Sequence, residues 1–323
     1  MFNEPEIIGV YRFYQNDELI AEAKNALTTA GRAIVIKSLL GIIPNFANSI
    51  SFGIGASPNV LNSASTLITN NSLSFEVGRV PVIGGSLELQ GTNDSLVFSG
   101  EITDPQQFRI HEVGLYPSGK VSEIVTVDGA VLFNFDQVDS FVKSGNASAA
   151  ALQDSGSARI GTQMFNLNSG DPTSNHIEFS SNSNYFAKLN SFSSQDLFKA
   201  AIYNTASTSG ASINLRFYTD SSNHYTVSFV SPATIGYHIL QSVKGAAVVT
   251  GTPDWGSTTA VRIWNGSSQD VLLDAVKVDV GSYALDTNLG MISRAVLPSP
   301  IVKQASIPVT IQYSLIINFS GGV

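Results

Sequence analysis

The sequence predicts a mainly β protein with one helix near its N-terminus and an all-β sandwich through its middle. Three observations lead there. Only 13% of the 323 residues are charged, while Ser, Thr, Asn and Gly are abundant, and helical enzymes carry more Glu, Lys and Arg on their surfaces. One stretch alone repeats apolar residues at helical spacing. Elsewhere, short alternating segments are separated by Ser/Asn/Gly turns about 8–12 residues apart, the pattern of a sandwich. The length favours two domains, and 43% hydrophobic residues suffice to fill two cores.

Along the chain, Val10–Phe13 and Leu19–Ala21 flank Gln15–Asn16–Asp17, which predicts a hairpin. Thr28 or Thr29 caps a helix running through Arg32 to Leu40, with Ala30, Ala33, Ile34, Lys37 and Leu40 at helical spacing and Gly41 and Pro44 ending it. Strands follow at Ser51–Gly55, Leu73–Val82, Leu87–Gln90, Leu96–Glu101 and Phe108–Tyr116. From Val131 to Val280 no helix is predicted, and strands fall at Ile213–Tyr218, Tyr225–Val230, Tyr237–Val243, Ala260–Trp264 and Val271–Val278. The last strand, Val309–Phe319, is so apolar that it requires an earlier sheet to pair with.

Charge and composition exclude several functions. A net charge of −8 with no basic cluster argues against nucleic acid, which calls for a basic stripe to neutralise phosphates. No cysteine is present, so disulfides, thiolate metal sites and thiol nucleophiles are excluded, and assembly in a reducing cytosol is expected. Acidic residues occupy the start where a signal peptide would be basic, and no apolar run approaches the ~18 residues of a membrane span, so membrane insertion is not expected. His111, His176, His224 and His238 lack metal-binding spacing, and Gly53–Ile54–Gly55 lacks the third glycine and the helix of a dinucleotide site.

Six passages carry a resemblance to a family. Leu27–Thr28–Thr29–Ala30–Gly31, Phe52–Gly53–Ile54–Gly55, Leu73–Ser74–Phe75–Glu76–Val77–Gly78–Arg79 and Glu112–Val113–Gly114–Leu115–Tyr116 occur in that order, with Pro300–Lys303 and Val309–Asn318 far downstream. Together they resemble the N-terminal domain of phage tail-collar fibre proteins. The gap between the two groups is the size of a further domain. Residues 1–128 and 293–323 are therefore expected to form a discontinuous virion-attachment domain around an insert, residues 129–292 with its return linker. The insert resembles jelly-roll carbohydrate-binding modules through Leu132–Asp136, Thr252–Ser257 and the closing strand Val271–Val278.

These resemblances imply a non-enzymatic bacteriophage virion protein made in the host bacterial cytoplasm. It would be a short tail-fibre or baseplate-associated appendage, with tail or baseplate proteins and a host-surface glycan as partners, and a homotrimer. The family's chains usually continue into a long fibre, whereas this sequence stops at Val323, which favours an appendage or adaptor. The alternatives are a structural collar, neck or head decoration with the sandwich as spacer, and a glycan-cleaving tailspike, which would use paired carboxylates.

Alternation within strands selects the candidate residues. Ile213, Leu215 and Phe217 point inward and Arg216 and Tyr218 outward; Val261 and Ile263 point inward and Arg262 and Trp264 outward; Phe198, Ala200 and Ile202 point inward and Lys199 and Tyr203 outward. Trp264, Tyr218, Arg216, Arg262 and Tyr203 are thus a candidate glycan face if their strands share a sheet; a subunit contact or an ordinary solvated face are the other readings. Trp255 is either a sugar stacker or a structural Trp covering one edge of the sandwich. Glu76, Arg79 and Glu112 are candidates for the subunit or tail contact. No cofactor is required, but the module resemblance implies a structural Ca²⁺ at Asp136 and Asp274, against solvated or turn-capping roles for the same acids.

Overall fold

The computed structural model describes residues 6–42, 47–55, 72–90, 93–117, 131–134, 141–144, 150–154, 156–180, 186–206, 212–268, 270–279 and 290–318. The chain divides into two compact units, Met1–Val127 with Tyr283–Val323, and Asp128–Ser282. Among the described residues no helix is long and apolar enough to cross a membrane.

The first unit begins with a hairpin, β1 (Glu6–Gln15) and β2 (Glu18–Leu27). Asn16 and Asp17 close it in the left-handed region, at φ 51° and 63°, the geometry that matches the twist of paired strands. The helix α1 (Thr29–Leu39) opens on Thr28, whose hydroxyl accepts from the Gly31 N–H at 2.8 Å. It ends where Gly41 takes φ +70°, letting Gly41 and Ile42 donate back to the Ser38 and Lys37 carbonyls. Ala30 and Ile34 are buried, whereas Leu40, placed on the same face by its spacing, is exposed because the helix has already ended.

Strands β3 (Ser49–Gly53), β4 (Glu76–Pro81), β5 (Gly84–Gln90), β6 (Asn93–Ile102) and β7 (Phe108–Tyr116) follow, and β20 (Ser293–Lys303) and β21 (Val309–Asn318) return after the second unit. All join one antiparallel sheet in the order β4-β3-β7-β20-β2-β1-β21-β6-β5. The apolar β21 pairs on both edges, with β1 from Glu6↔Asn318 and with β6 from Val309↔Ile102. Pro298 and Pro300 lie in β20 where its register against β7 shifts between Val296 and Ile301, a place where the missing N–H costs no ladder bond. Met291 and Ile292, grouped by sequence with the return linker, are buried in this unit, where Ile292 donates to the Leu115 carbonyl.

The second unit has two antiparallel sheets. Its strands are β8 (Val131–Asn134), β9 (Phe141–Ser144), β10 (Ala150–Asp154), β11 (Gln163–Leu167), β12 (His176–Ser180), β13 (Leu197–Asn204), β14 (Ser212–Tyr218), β15 (His224–Val230), β16 (Gly236–Val243), β17 (Val248–Thr250), β18 (Ala260–Asn265) and β19 (Val271–Asp279). One sheet runs β10-β11-β19-β13-β16, with β8 also beside β19; the other runs β17-β15-β14-β18-β12-β9. The pairs β11·β19, β12·β18, β13·β16 and β14·β15 nest inside one another in sequence and alternate between the sheets. That nesting is a jelly roll.

Phe198, Ala200 and Ile202 from one sheet and Ile213, Leu215, Phe217, Val261 and Ile263 from the other share one core. Trp255 belongs to it. Its ring stacks on Tyr225 at 3.9 Å and lies 5.3 Å from Phe217 and 5.5 Å from Phe198, so it is structural and unavailable to a sugar.

Candidate functional site

The side chains of the β12–β18–β14–β15 sheet that alternate with this core face away from it. Register sets Arg216 directly opposite Arg262, Asn214 opposite Trp264 and Tyr218 opposite Ala260. Like charges facing each other across strands are destabilising unless something answers them. For Arg262 the answer is Glu178, its register partner on β12, bonded to Nε at 2.6 Å. Nη1 of Arg262 also donates to the Pro172 carbonyl at 2.9 Å, and its guanidinium lies 4.8 Å from the centre of the Tyr218 ring. Burial pushes the Glu178 carboxyl up, but the Arg262 hydrogen bond and charge outweigh it and hold the group below its ordinary value.

Arg216 is held differently. Its Nε donates to the Thr226 hydroxyl at 3.1 Å, and its guanidinium lies 5.2 Å from the centre of the Trp264 ring. Trp264 is 7% exposed, so it supports the arginine and does not offer a bare stacking surface. Tyr218 keeps its ring half-exposed, with His224 at 5.2 Å. Burial, and then the Arg216 charge, lower the pKa of His224; burial, and then Arg262, lower that of His176. Both imidazoles on this face therefore favour their neutral form.

Four of the five candidate glycan residues thus share one face. Tyr203 does not. It sits on β13 in the other sheet, pairing with Tyr237 and Leu272, so the five-residue platform is corrected to four. Glu178, Thr226 and His224 complete the face and were missed; alternation in β12 and β15 would have turned them outward, but only the strand pairing shows whom they meet.

Asp274 occupies a bulge in β19, where register passes from Ala201↔Ala275 to Ile202↔Leu273. It is fully buried, and its Oδ2 accepts from the Arg159 and Ile160 N–H groups at 2.9 and 3.3 Å and from the Tyr237 hydroxyl. The Arg159 guanidinium stacks 3.8 Å from the Tyr237 ring centre. Oδ2 of Asp274 is thus committed to donors within the unit, whereas Ca²⁺ takes six to eight oxygens. Asp136 lies outside the described residues, and no group of three or more His, Cys, Asp or Glu able to hold a metal occurs among those described.

The three candidate contact residues of the first unit turn inward. Glu112 is 1% exposed, as is Arg294, with which it pairs at 2.5 Å; its other bonds come from the Ser74 and Phe75 N–H groups at 3.0 and 2.9 Å. A Cβ on Gly55 would lie 2.2 Å from Glu112 Oε1, so the glycine makes room for the carboxylate. Glu76 pairs with Arg79, whose Nη2 donates to Oε2 at 3.1 Å, and the Arg79 guanidinium lies 3.8 Å from the centre of the Tyr116 ring. These residues are corrected from contact surface to internal ties, because their charges are already spent inside the unit.

No family model matches the chain, and no curated protein sequence matches it. Solved structures do. A family 11 carbohydrate-binding module from Clostridium thermocellum, in complex with a β-1,3-1,4-mixed-linked tetrasaccharide, is 12% identical over 47% of this chain and 96% of its own, with a TM-score of 0.33. The xylan-binding CBM22-1 domain of Paenibacillus barcinonensis Xyn10C is 10% identical over 47% of this chain and 92% of its own, with a TM-score of 0.26. CBM22-1-GH10 modules of a Clostridium thermocellum xylanase, complexed with xylohexaose, give 12% identity and a TM-score of 0.30, and the match spans only 28% of that chain. At such scores the jelly roll rests on its own strand order.

Proposed function

We propose that this is a non-catalytic glycan-binding protein of a phage virion, and that the jelly roll binds sugar through the outer face of β12, β14, β15 and β18. The observation that carries the glycan half is the convergence of Arg216, Tyr218, Arg262 and Trp264 on one face. An accessible aromatic ring stacks on the C–H face of a sugar, and fixed guanidinium groups bond its substituents. The solved carbohydrate-binding modules agree with this reading without adding weight to it.

The virion half rests on the passages that resemble tail-collar fibre proteins. In the fold they interlock: Gly55, Ser74 and Phe75 meet Glu112, Arg79 stacks on Tyr116, and β7 pairs with β20 across the long sequence gap. They thus form one structural unit, suited to carry the jelly roll on a tail or baseplate, in trimeric form as the resemblance implies.

One shallow site of this kind binds at about the millimolar level, about −4 kcal/mol. Repetition on a particle raises the effective affinity. The test is electrophoretic retardation in gels containing host-surface polysaccharides. The parent should be retarded, Tyr218→Ala should not, and Tyr203→Ala, on the other sheet, should be retarded like the parent. Equal retardation of both variants defeats the assignment of the face. Absence of reducing-sugar release from the same polymers separates binding from cleavage, and immunolabelling of intact virions tests the mounting.

A further inference from the structure

Two arginines face each other on this surface, and only one has an acid. Arg262 is neutralised by Glu178 at 2.6 Å. Arg216 spends Nε on Thr226, and among the described residues neither of its terminal nitrogens has a hydrogen-bond partner and no carboxylate pairs with it. It is half-exposed, and the Trp264 ring beneath it keeps it from collapsing onto the sheet. The other side chains flanking it on the same face are Asn214, Tyr218, Thr226, Ser228 and His224, none of them acidic. In a chain of net charge −8, this guanidinium is held in place on the outer face with no acid beside it.

From this we infer that the face selects glycans bearing carboxylates, with uronic- or ulosonic-type acids as the ligand class and Arg216 as the residue that receives the carboxylate. The inference rests on the glycan reading above and specifies its ligand. A guanidinium with both terminal nitrogens open presents the planar fork that pairs with a carboxylate through two parallel hydrogen bonds. Tyr218 stands two residues further along the same strand, about 7 Å away, a separation on the scale of one pyranose ring and its carboxylate. The acid group would sit on Arg216 while the ring stacks on Tyr218. Neutral polymers would meet the same aromatic ring but leave the cation unanswered.

The experiment compares polygalacturonate, alginate, hyaluronate and polysialic acid, each beside its carboxyl-reduced, neutral counterpart, with sulfated dextran as a non-carboxylate anion. Binding is measured calorimetrically with the full chain at 50 and 500 mM NaCl. At least one acidic polymer should bind about 10-fold more tightly than its reduced form. That ratio should shrink at high salt. Arg216→Gln should bring it to about one, and Arg216→Lys, a point charge without the fork, should restore only part of it. Thermal unfolding of both variants reports whether the fold is kept.

If reduced and acidic forms bind equally, or if the preference survives Arg216→Gln, the inference is overturned while the glycan face stands. Sulfated dextran binding as tightly as the best carboxylate also overturns it, since charge alone would then suffice. If no polymer binds in either form, the glycan reading falls and takes the inference with it.

Discussion

Glu112→Gln tests the claim that Glu112 is an internal tie rather than part of a docking surface. The substitution keeps the side chain's shape and removes its charge. In the fold, Glu112 accepts from Arg294, Ser74 and Phe75, all within 3.0 Å. An amide has one oxygen for these donors and must turn its own NH₂ toward some of them. Arg294, 1% exposed, then keeps a buried charge with only the Ser74 hydroxyl, at 2.8 Å, and half the former acceptor. Breaking a buried pair by removing one partner costs about 3–5 kcal/mol, a large part of the 5–15 kcal/mol typical of a domain. For a unit of this size the melting temperature should fall by about 6–20 °C. Replacing Arg294 as well, as Glu112→Gln with Arg294→Met, should recover much of the loss, because no charge is then left unpaired and the amide oxygen still accepts from the backbone N–H groups. Calorimetry on the three proteins decides it. Should Glu112→Gln melt within about 2 °C of the parent, the buried-tie argument is wrong.

Trp255→Ala should cost the jelly roll about 3–5 kcal/mol in urea unfolding, since it opens a cavity among Phe198, Phe217 and Tyr225; a loss under 1 kcal/mol would place the ring outside the core. Asp279 pairs with Lys199 at 2.6 Å and with Lys277; burial acts to raise its pKa, but the two ammonium groups prevail and lower it. Because the folded pKa lies below the unfolded value, this contribution is complete above the ordinary carboxylate range and is lost as pH falls through the folded pKa. Asp279→Asn should therefore destabilise at pH 7 and flatten the acid limb of stability against pH, and an unchanged acid limb would remove the pair from the stability of the fold.

The elements legible in the sequence are those specified locally. The Asn16–Asp17 turn, the Thr28 cap and the Gly41 stop each follow from a few adjacent residues, as do the alternating strands of the jelly roll. What was not legible depends on neighbours. The charge of Glu112 suggests a subunit or tail contact, yet β7 is buried along nearly its whole length, so alternation there has no solvent side. Its partner, Arg294, lies 182 residues away. Leu73–Phe75 looked like the start of a strand, but the Ser74 and Phe75 N–H groups turn to the Glu112 carboxylate instead of entering a ladder.

The candidate face shows why strand periodicity gives a side chain's direction but not its company. Tyr203 does point away from its core, as alternation requires. The jelly roll, however, sends β13 and β14 to opposite sheets, so outward residues on these successive strands diverge to opposite surfaces. A face is assembled instead from strands that nest: Arg262 meets Glu178, 84 residues earlier, because β12 and β18 are the second pair of the nest. Arg216 meets Arg262 because β14 is the next strand across. Three outward residue types legible one strand at a time thus become a particular electrostatic arrangement, one arginine answered and one open, only after the order β15-β14-β18-β12 is known. Changing the acid while keeping that order should move the open charge: with Glu178→Gln, both guanidinium groups stand unanswered, and the preference for acidic over reduced polymer should rise rather than fall. A fall would mean that Glu178 holds the face in shape more than it spends the charge of Arg262.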